Sequence, residues 1–143
     1  MADWTETYRG VVLPRHCDHY GHLNVRYYTH FFDDGGFHMW NQIGISLKEL
    51  TERKIALVIA NISLDFVHEV RAGGLILIKG AFRKMGSRSI TYEQRMYDTD
   101  GGHLCAKQTS VEVSFDTETR QSAPMPEDIR ALIEANIVPE EEG

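Results

Sequence analysis

Between Val25 and Ile43, the apolar residues Tyr28, Phe31, Phe32, Met39 and Ile43 recur at three- and four-residue steps, with Gly35 on the same face. This period predicts an amphipathic helix over 25–43 with one strongly apolar stripe. Asn24 supplies an N-cap whose side-chain oxygen can accept from the free N–H groups of the first turn. Gly44 suits the left-handed residue after the helix end. Gly35-Gly36 in the middle costs about 1 kcal/mol per Gly relative to Ala, a cost that close approach of another backbone would justify. Ser46 caps a short second helix over 47–53. The period then changes to two. Strands are predicted over 55–66, with a bend or bulge near Asn61, then over 75–85, 89–97 and 103–115, after a first strand over 8–13. In the strand over 89–97, Ile90, Tyr92 and Met96 alternate with polar residues. Gly86-Ser87 marks a turn, and Asp98-Thr99-Asp100-Gly101-Gly102 reads as a hairpin loop. Residues 116–126 read as a long connection. A C-terminal helix is expected over about 126–137 with Ile129, Leu132 and Ile133 inward, followed by a frayed acidic tail over 139–143.

This order of one apolar helix and successive tightly linked strands predicts an α+β fold. A curved antiparallel sheet wraps one long central helix, because the sheet must bury a face and only this helix is large enough to cover it. The whole chain, 1–143, reads as a single domain. An open sheet leaves an edge, and edges are commonly covered by pairing, so a homodimer is expected.

Charge narrows the functions. Fifteen Lys and Arg against twenty-one Asp and Glu give a formal charge of -6 over 143 residues. Excess anions disfavour non-specific nucleic-acid binding. Two cysteines, Cys17 and Cys105, cannot form a disulfide framework, and both read as small packing residues. No apolar run approaches a membrane span, and the N-terminal residues carry no secretory pattern. A cytoplasmic location is the resulting expectation.

The densest polar segment is Arg15-His16-Cys17-Asp18-His19-Tyr20-Gly21-His22-Leu23-Asn24, directly before the long helix. A helix start offers unpaired N–H groups and partial positive charge, which suits the oxyanion of an acyl-transfer reaction. A carboxylate six residues upstream of the cap, Asp18, can fold back beside it across Gly21. Asp18 equally reads as a turn residue. His16, His19 and His22 with Cys17 and Asp18 also have the residue types of a metal site, but the zinc-like spacing of a second pair is missing, and no metal is expected.

The run Asp18-His19-Tyr20-Gly21-His22-Leu23-Asn24-Val25-Arg26-Tyr27-Tyr28 resembles the D-x-x-G-H-x-N-x-x-x-Y signature of hotdog-fold acyl-CoA thioesterases, the 4-hydroxybenzoyl-CoA thioesterase superfamily. The resemblance spans about residues 7–124 and includes Asp65-Phe66 followed by Arg71-Ala72-Gly73-Gly74. It implies that Asp18 is the catalytic carboxylate, as nucleophile or as general base on water. It implies that the Val25 backbone N–H polarises the thioester carbonyl. Gly21, His22 and Asn24 match the turn that sets Asp18 against the helix, and Tyr28 the aromatic one turn further in. Other branches place the carboxylate on the helix, where this chain has Asp33 and Asp34. No cofactor is implied beyond the coenzyme A of the substrate. The implied site lies at a dimer interface, with tetramers left open. The stretch from Val11 to Val25 also resembles thioesterases of carnitine and betaine metabolism, which handle short cationic acyl groups.

Arg83, Lys84, Ser87 and Arg88, with Arg95 nearby, make one hairpin basic in an acidic chain. They read either as a solvated face or as a grip on the phosphates of coenzyme A. Asn61 reads as a hydrogen-bonded core residue or as a polar residue facing the site. The implied activity is hydrolysis of a small or medium acyl-CoA to acid and coenzyme A. The alternatives are a hotdog dehydratase or hydratase, whose His-containing motifs find no match here, and a non-catalytic acyl-CoA-binding dimer module.

Overall fold

The structure is a computed structural model that describes residues 3–140. In chain order the elements are β1 (Thr5–Val11), a 3-10 turn (Pro14–His16), α1 (Val25–Gln42), α2 (Leu47–Glu52), β2 (Ile55–Phe66), β3 (Leu75–Met85), β4 (Ser89–Asp98), β5 (Leu104–Asp116), β6 (Gln121–Ser122) and α3 (Glu127–Glu134). The strands form one antiparallel sheet in the order β1-β3-β4-β5-β2, with β6 on β5. This is the expected sheet around one long helix.

Local signals explain the element ends. The Asn24 side chain accepts the Arg26 N–H at 3.1 Å, and the Ser46 hydroxyl accepts the Glu49 N–H at 3.0 Å, each satisfying a donor that the helix start leaves open. Gly44 takes φ 90° after α1, a conformation that Gly adopts at no steric cost. In β2 the register with β5 shifts between Ile59 and Asn61, which is the bulge expected near Asn61. The connection over 116–126 is more ordered than its composition implies: it turns back with Arg120 at φ 64° and adds Gln121–Ser122 to the edge of β5. Helix α3 is shorter than expected, and Leu132 is not inward. Ile129 and Ile133 are buried while Leu132 is 38% exposed, because the core-facing stripe follows the four-residue step and leaves position 132 on its flank. Most of the acidic tail, 141–143, lies outside the described residues.

Helix α1 lies mainly over β1 and β3. Its apolar stripe separates two clusters, one around Phe31, Phe32, Ile76, Ile78 and Met96, the other around Met39, Trp40, Phe82, Ile90 and Ile133. Between them stands Gly35-Gly36. The close approach there comes from side chains rather than a neighbouring backbone. A Cβ on Gly35 would overlap Gln94 Oε1 and lie 2.9 Å from Thr7 Oγ1, and one on Gly36 would lie 3.2 Å from the Tyr92 hydroxyl. Gln94, fully buried, donates from Nε2 to the Phe32 carbonyl at 2.6 Å, and the Thr7 hydroxyl is 3.1 Å from Gln94 Oε1.

The other half of the inner face is different. β2 is an edge strand whose apolar residues are open: Ile59 38%, Ile62 40% and Phe66 54% exposed on this face, and Val58 47% on the other. A row of exposed apolar side chains on an unpaired edge is the surface that strand pairing covers. No helix among the described residues is long and apolar enough to cross a membrane.

Candidate active site at the start of the long helix

The segment before α1 folds as a tight reversal. Cys17 bridges Leu23, the Asp18 N–H donates to the His22 carbonyl at 2.9 Å, and the Gly21 N–H donates to the Asp18 carbonyl at 3.0 Å. Gly21 holds φ 80°, which a side chain would resist. The turn is fixed to its surroundings at both ends: the Leu23 N–H donates to the Val70 carbonyl at 2.7 Å, and the Asn24 N–H to the His16 carbonyl at 2.9 Å. His22 also bridges Arg71.

Asp18 uses one carboxylate oxygen for this turn. Its Oδ1 accepts from Tyr20 N at 2.9 Å and His22 N at 3.3 Å. Its Oδ2 has no protein partner among the described residues, and the side chain is half-buried. Val25, the first residue of α1, is 63% exposed, and its backbone N–H is likewise without a partner among the described residues. The Asn24 side chain takes the next N–H, that of Arg26, so Val25 presents the free donor at the positive end of an 18-residue helix. An open carboxylate oxygen and an open N–H thus flank one turn.

A recess of about 250 Å³ beside Val25 is lined by Tyr28, Phe66, Val67 and His68, with His22 and Glu69 at its polar side. Asp18 is not part of this lining. Tyr28 is 5% exposed and packs edge-on against Phe66 at 5.0 Å; burial pushes its hydroxyl up to about 12. It is therefore a neutral wall of the recess. His22 Nε2 is 3.3 Å from Glu69 Oε2, and Arg71 approaches the same carboxylate at 3.9 Å. Glu69 and His68, whose ring stacks on His103 at 4.9 Å, are site neighbours that the linear motif does not contain. They arrive because the chain leaving β2 crosses in front of the turn.

His16 has a role that its sequence neighbours hide. It is 4% exposed, its ring lying 5.0 Å from Tyr27 and 5.1 Å from Phe31, and its Nδ1 accepts the Leu13 N–H at 2.9 Å. His19 instead packs at a tilt against Tyr20 at the surface, and His22 faces Glu69, so the three histidines diverge. Among the described residues no group of three or more His, Cys, Asp or Glu is placed to hold a metal ion.

Burial holds the His16 imidazole below its ordinary value, with Arg15 adding to the effect. The unfolded chain then binds a proton at a higher pH than the folded one, so stability falls as pH drops below about 6.5, the ordinary value for histidine. His16→Phe is expected to flatten that part of a urea-midpoint-versus-pH profile. An unchanged slope would assign it to other groups.

The remaining site candidates do not converge on this cleft. β3 begins beside Val11, at the turn end of the sheet, and runs ten residues to Met85, roughly 30 Å in extended chain. Lys84, Ser87 and Arg88 are exposed at that far end. Arg83 donates to the Val138 carbonyl at 3.1 Å and lies 5.2 Å from the Trp4 ring, while Arg88 donates to the Ser122 carbonyl at 3.2 Å. Arg95 pairs with Glu93 at 2.6 Å. Within one protomer this hairpin and Val25 lie toward opposite ends of β3. Asn61 is exposed and pairs with Val111. The bulge at Ala60 turns it to the outer face of the sheet, away from α1, so it is neither a core residue nor directed at the cleft. Of the two cysteines, Cys105 is fully buried and Cys17 only half-buried. His30 and His38 are both exposed, off the buried face of α1.

Comparison with known proteins shows the family and the fold. The sequence pattern of the thioesterase-like superfamily matches residues 12–133. No curated protein matches the chain. A hypothetical protein from Staphylococcus aureus, solved in complex with CoA, superposes with a TM-score of 0.85 at 18% identity over 95% of this chain and 85% of that one. A 1,4-dihydroxy-2-naphthoyl-CoA thioesterase from Synechocystis gives 0.78 at 16% identity, covering 88% and 93%. A probable thioesterase from Escherichia coli gives 0.79 at 20% identity, covering 92% and 98%. The shared fold is the hotdog fold, and the chain belongs to the thioesterase-like superfamily.

Proposed function

We propose that this protein hydrolyses an acyl-CoA thioester to the free acid and coenzyme A, with Asp18 and the Val25 N–H as its reacting groups. The observation that carries this reading is the pair of unused groups on one pinned turn: Asp18 Oδ2 and the Val25 N–H. The thioester carbonyl oxygen takes the Val25 N–H, which the α1 dipole reinforces. Asp18 accepts a proton from water as that water adds to the carbonyl carbon. The tetrahedral intermediate then collapses, the C–S bond breaks, and coenzyme A leaves as a thiolate that takes up a proton. A thiolate leaves readily, so no strong acid is required beside it. The CoA-bound neighbour from Staphylococcus aureus supports a CoA ester as ligand.

The test is a panel of acyl-CoA thioesters followed by free-thiol release. Thiol release supports the reading. Hydration of an enoyl-CoA without thiol release, or binding without turnover, overturns it in favour of a hydratase or a binding module.

The working unit in this reading is a homodimer paired along β2. The open residues Val58 and Ile62 belong to that edge, and pairing there would also allow one subunit's Arg83–Arg88 hairpin to serve a ligand of the other. Val58→Asp with Ile62→Asp is expected to shift the mass measured by light scattering from dimer to monomer. A variant that keeps the wild-type mass would place the interface elsewhere.

A further inference from the structure

The inner face of β5 is polar where a sheet facing an apolar helix is normally apolar. Gln108, Ser110, Glu112 and Ser114 alternate along it, all buried. Because α1 lies mainly over β1 and β3, this row forms the floor of an open trough. One wall is the four-residue row Val25, Thr29, Asp33, Phe37 and Asn41 of α1. The other wall is apolar and belongs to β2: Leu57, Ile59, Ile62 and Leu64, which pair with the floor residues.

Two recesses open in the trough beyond the cleft at Val25. The nearer, about 300 Å³, is lined by Thr29, His30, Asp33, Ile59, Ile62, Tyr92 and Gln108. The farther, about 530 Å³, is lined by Phe37, Trp40, Leu50, Leu57 and Glu112 among others. Their floors offer more hydrogen-bond acceptors than the protein uses. Gln108 Oε1 is buried with no partner, its Nε2 being spent on Ser110 Oγ at 3.1 Å. Glu112, 6% exposed, accepts the Trp40 indole N–H on Oε2 at 3.2 Å. A carboxylate has about four acceptor sites, so that donor leaves it unsaturated. Neither recess has a Lys or Arg in its lining. Asp33 adds negative charge beside Glu112, and burial with that neighbour pushes the Glu112 carboxyl up from the usual range. A buried acceptor without a donor is costly, and the β2 wall beside it is apolar.

We infer that this trough holds the acyl part of the substrate, and that the acyl group has an apolar body carrying a hydrogen-bond donor, a hydroxyl or a protonated amine, that reaches Glu112. The inference rests on the thioesterase reading for the position of the thioester and adds the substrate class. Val25 and Phe37 are twelve residues apart on α1, about 18 Å, so a protomer's own farther recess receives the end of a long chain. Antiparallel pairing of two β2 edges brings the recess of one protomer toward the cleft end of the other and suits a shorter chain.

The experiment compares kcat/KM for ω-hydroxyacyl-CoA, ω-aminoacyl-CoA and plain alkanoyl-CoA, matched in length at hexanoyl and at tetradecanoyl size. At one length or the other, a donor-ended ester is expected to exceed its methyl-ended match by about tenfold, the size of one hydrogen bond to a charged group. In Glu112→Leu the ratio should fall toward one. Glu112→Gln keeps an acceptor and loses the charge, so a hydroxyl preference survives it and an amine preference does not, which identifies the donor. Thr51→Trp, at the exposed mouth of the farther recess, should also reduce the ratio and does not alter the buried floor. Equal rates for all three esters in the wild type, or a ratio unchanged in Glu112→Leu, overturn the inference. Thermal stabilisation of the wild type by the free ω-hydroxy or ω-amino acid, but not by the matched fatty acid, reports the same selectivity without turnover. Stabilisation without thiol release from any ester would therefore overturn the hydrolase reading and leave the ligand class standing.

Discussion

Asp18→Asn is expected to lower kcat for thioester hydrolysis by about 10²- to 10⁴-fold, the range for removing a general base, while leaving the melting temperature close to that of the wild type. Asn is the informative replacement because Asp18 has two jobs on two oxygens. Oδ1 accepts the Tyr20 and His22 N–H groups and shapes the turn, and an amide oxygen can continue to do so. Oδ2 is the free one, and an amide nitrogen in its place can neither take a proton from water nor attack a carbonyl. Asp18→Ala would remove both and confound the turn with the chemistry. A wild-type rate in Asp18→Asn would transfer the role to another carboxylate, with Asp33 on the trough wall and Glu69 beside His22 the next to test. Loss of rate with collapse of the melting temperature would instead mark Asp18 as a turn residue only.

The largest effect on stability is expected at Gly35. Gly35→Ala should destabilise the protein by about 3 kcal/mol, combining overpacking with the breakage of buried hydrogen bonds. For a chain of this size that lowers the melting temperature by roughly 6–12 °C. A new Cβ would overlap Gln94 Oε1, and Gln94 cannot move without giving up its 2.6 Å bond to the Phe32 carbonyl and its contact with the Thr7 hydroxyl. Helix propensity alone predicts the opposite sign, a gain of about 1 kcal/mol for Gly→Ala, so the sign of the measured change decides between the two. Gly36→Ala is the control. Its Cβ would lie 3.2 Å from the Tyr92 hydroxyl, a contact relieved by a shift of only a few tenths of an ångström. A stabilised Gly35→Ala in a thermal melt would show that the Gln94 contact is slack.

What could be read in the chain and what could not follows from the range of each signal. The Asn24 and Ser46 caps, the stripe of α1, the bulge beside Asn61 and the loop after β4 are decided by neighbours within a few residues, and the sequence displays those neighbours. The turn from Asp18 to Asn24 belongs to the same class. The strand faces do not. On β5 the apolar residues Val111, Val113 and Phe115 alternate with Gln108, Ser110, Glu112 and Ser114, and alternation alone would turn the apolar set inward. The structure does the reverse, and the Trp40 indole that donates to Glu112 comes from α1, out of view of the strand's own pattern. Gln94 is hidden in the same way on β4, where its partners are a carbonyl on the helix and the Thr7 hydroxyl on β1. The basic hairpin at Arg83–Arg88 illustrates the converse. Its charge density was visible in sequence, but its distance from Asp18 depends on the direction of β3, which composition does not encode.

The bond from Gln94 to the Phe32 carbonyl has a consequence for the chemistry at the other end of α1. Apolar side chains fill space but exert little preference about sliding along a helix axis or rolling about it. A hydrogen bond into one particular carbonyl does both, like a key in a shaft. Phe32 is seven residues, about 10 Å, from Val25, and an α-helix is stiff over that length. The angular and axial position of the Val25 N–H is therefore set from inside the sheet, by a glutamine that never approaches the substrate.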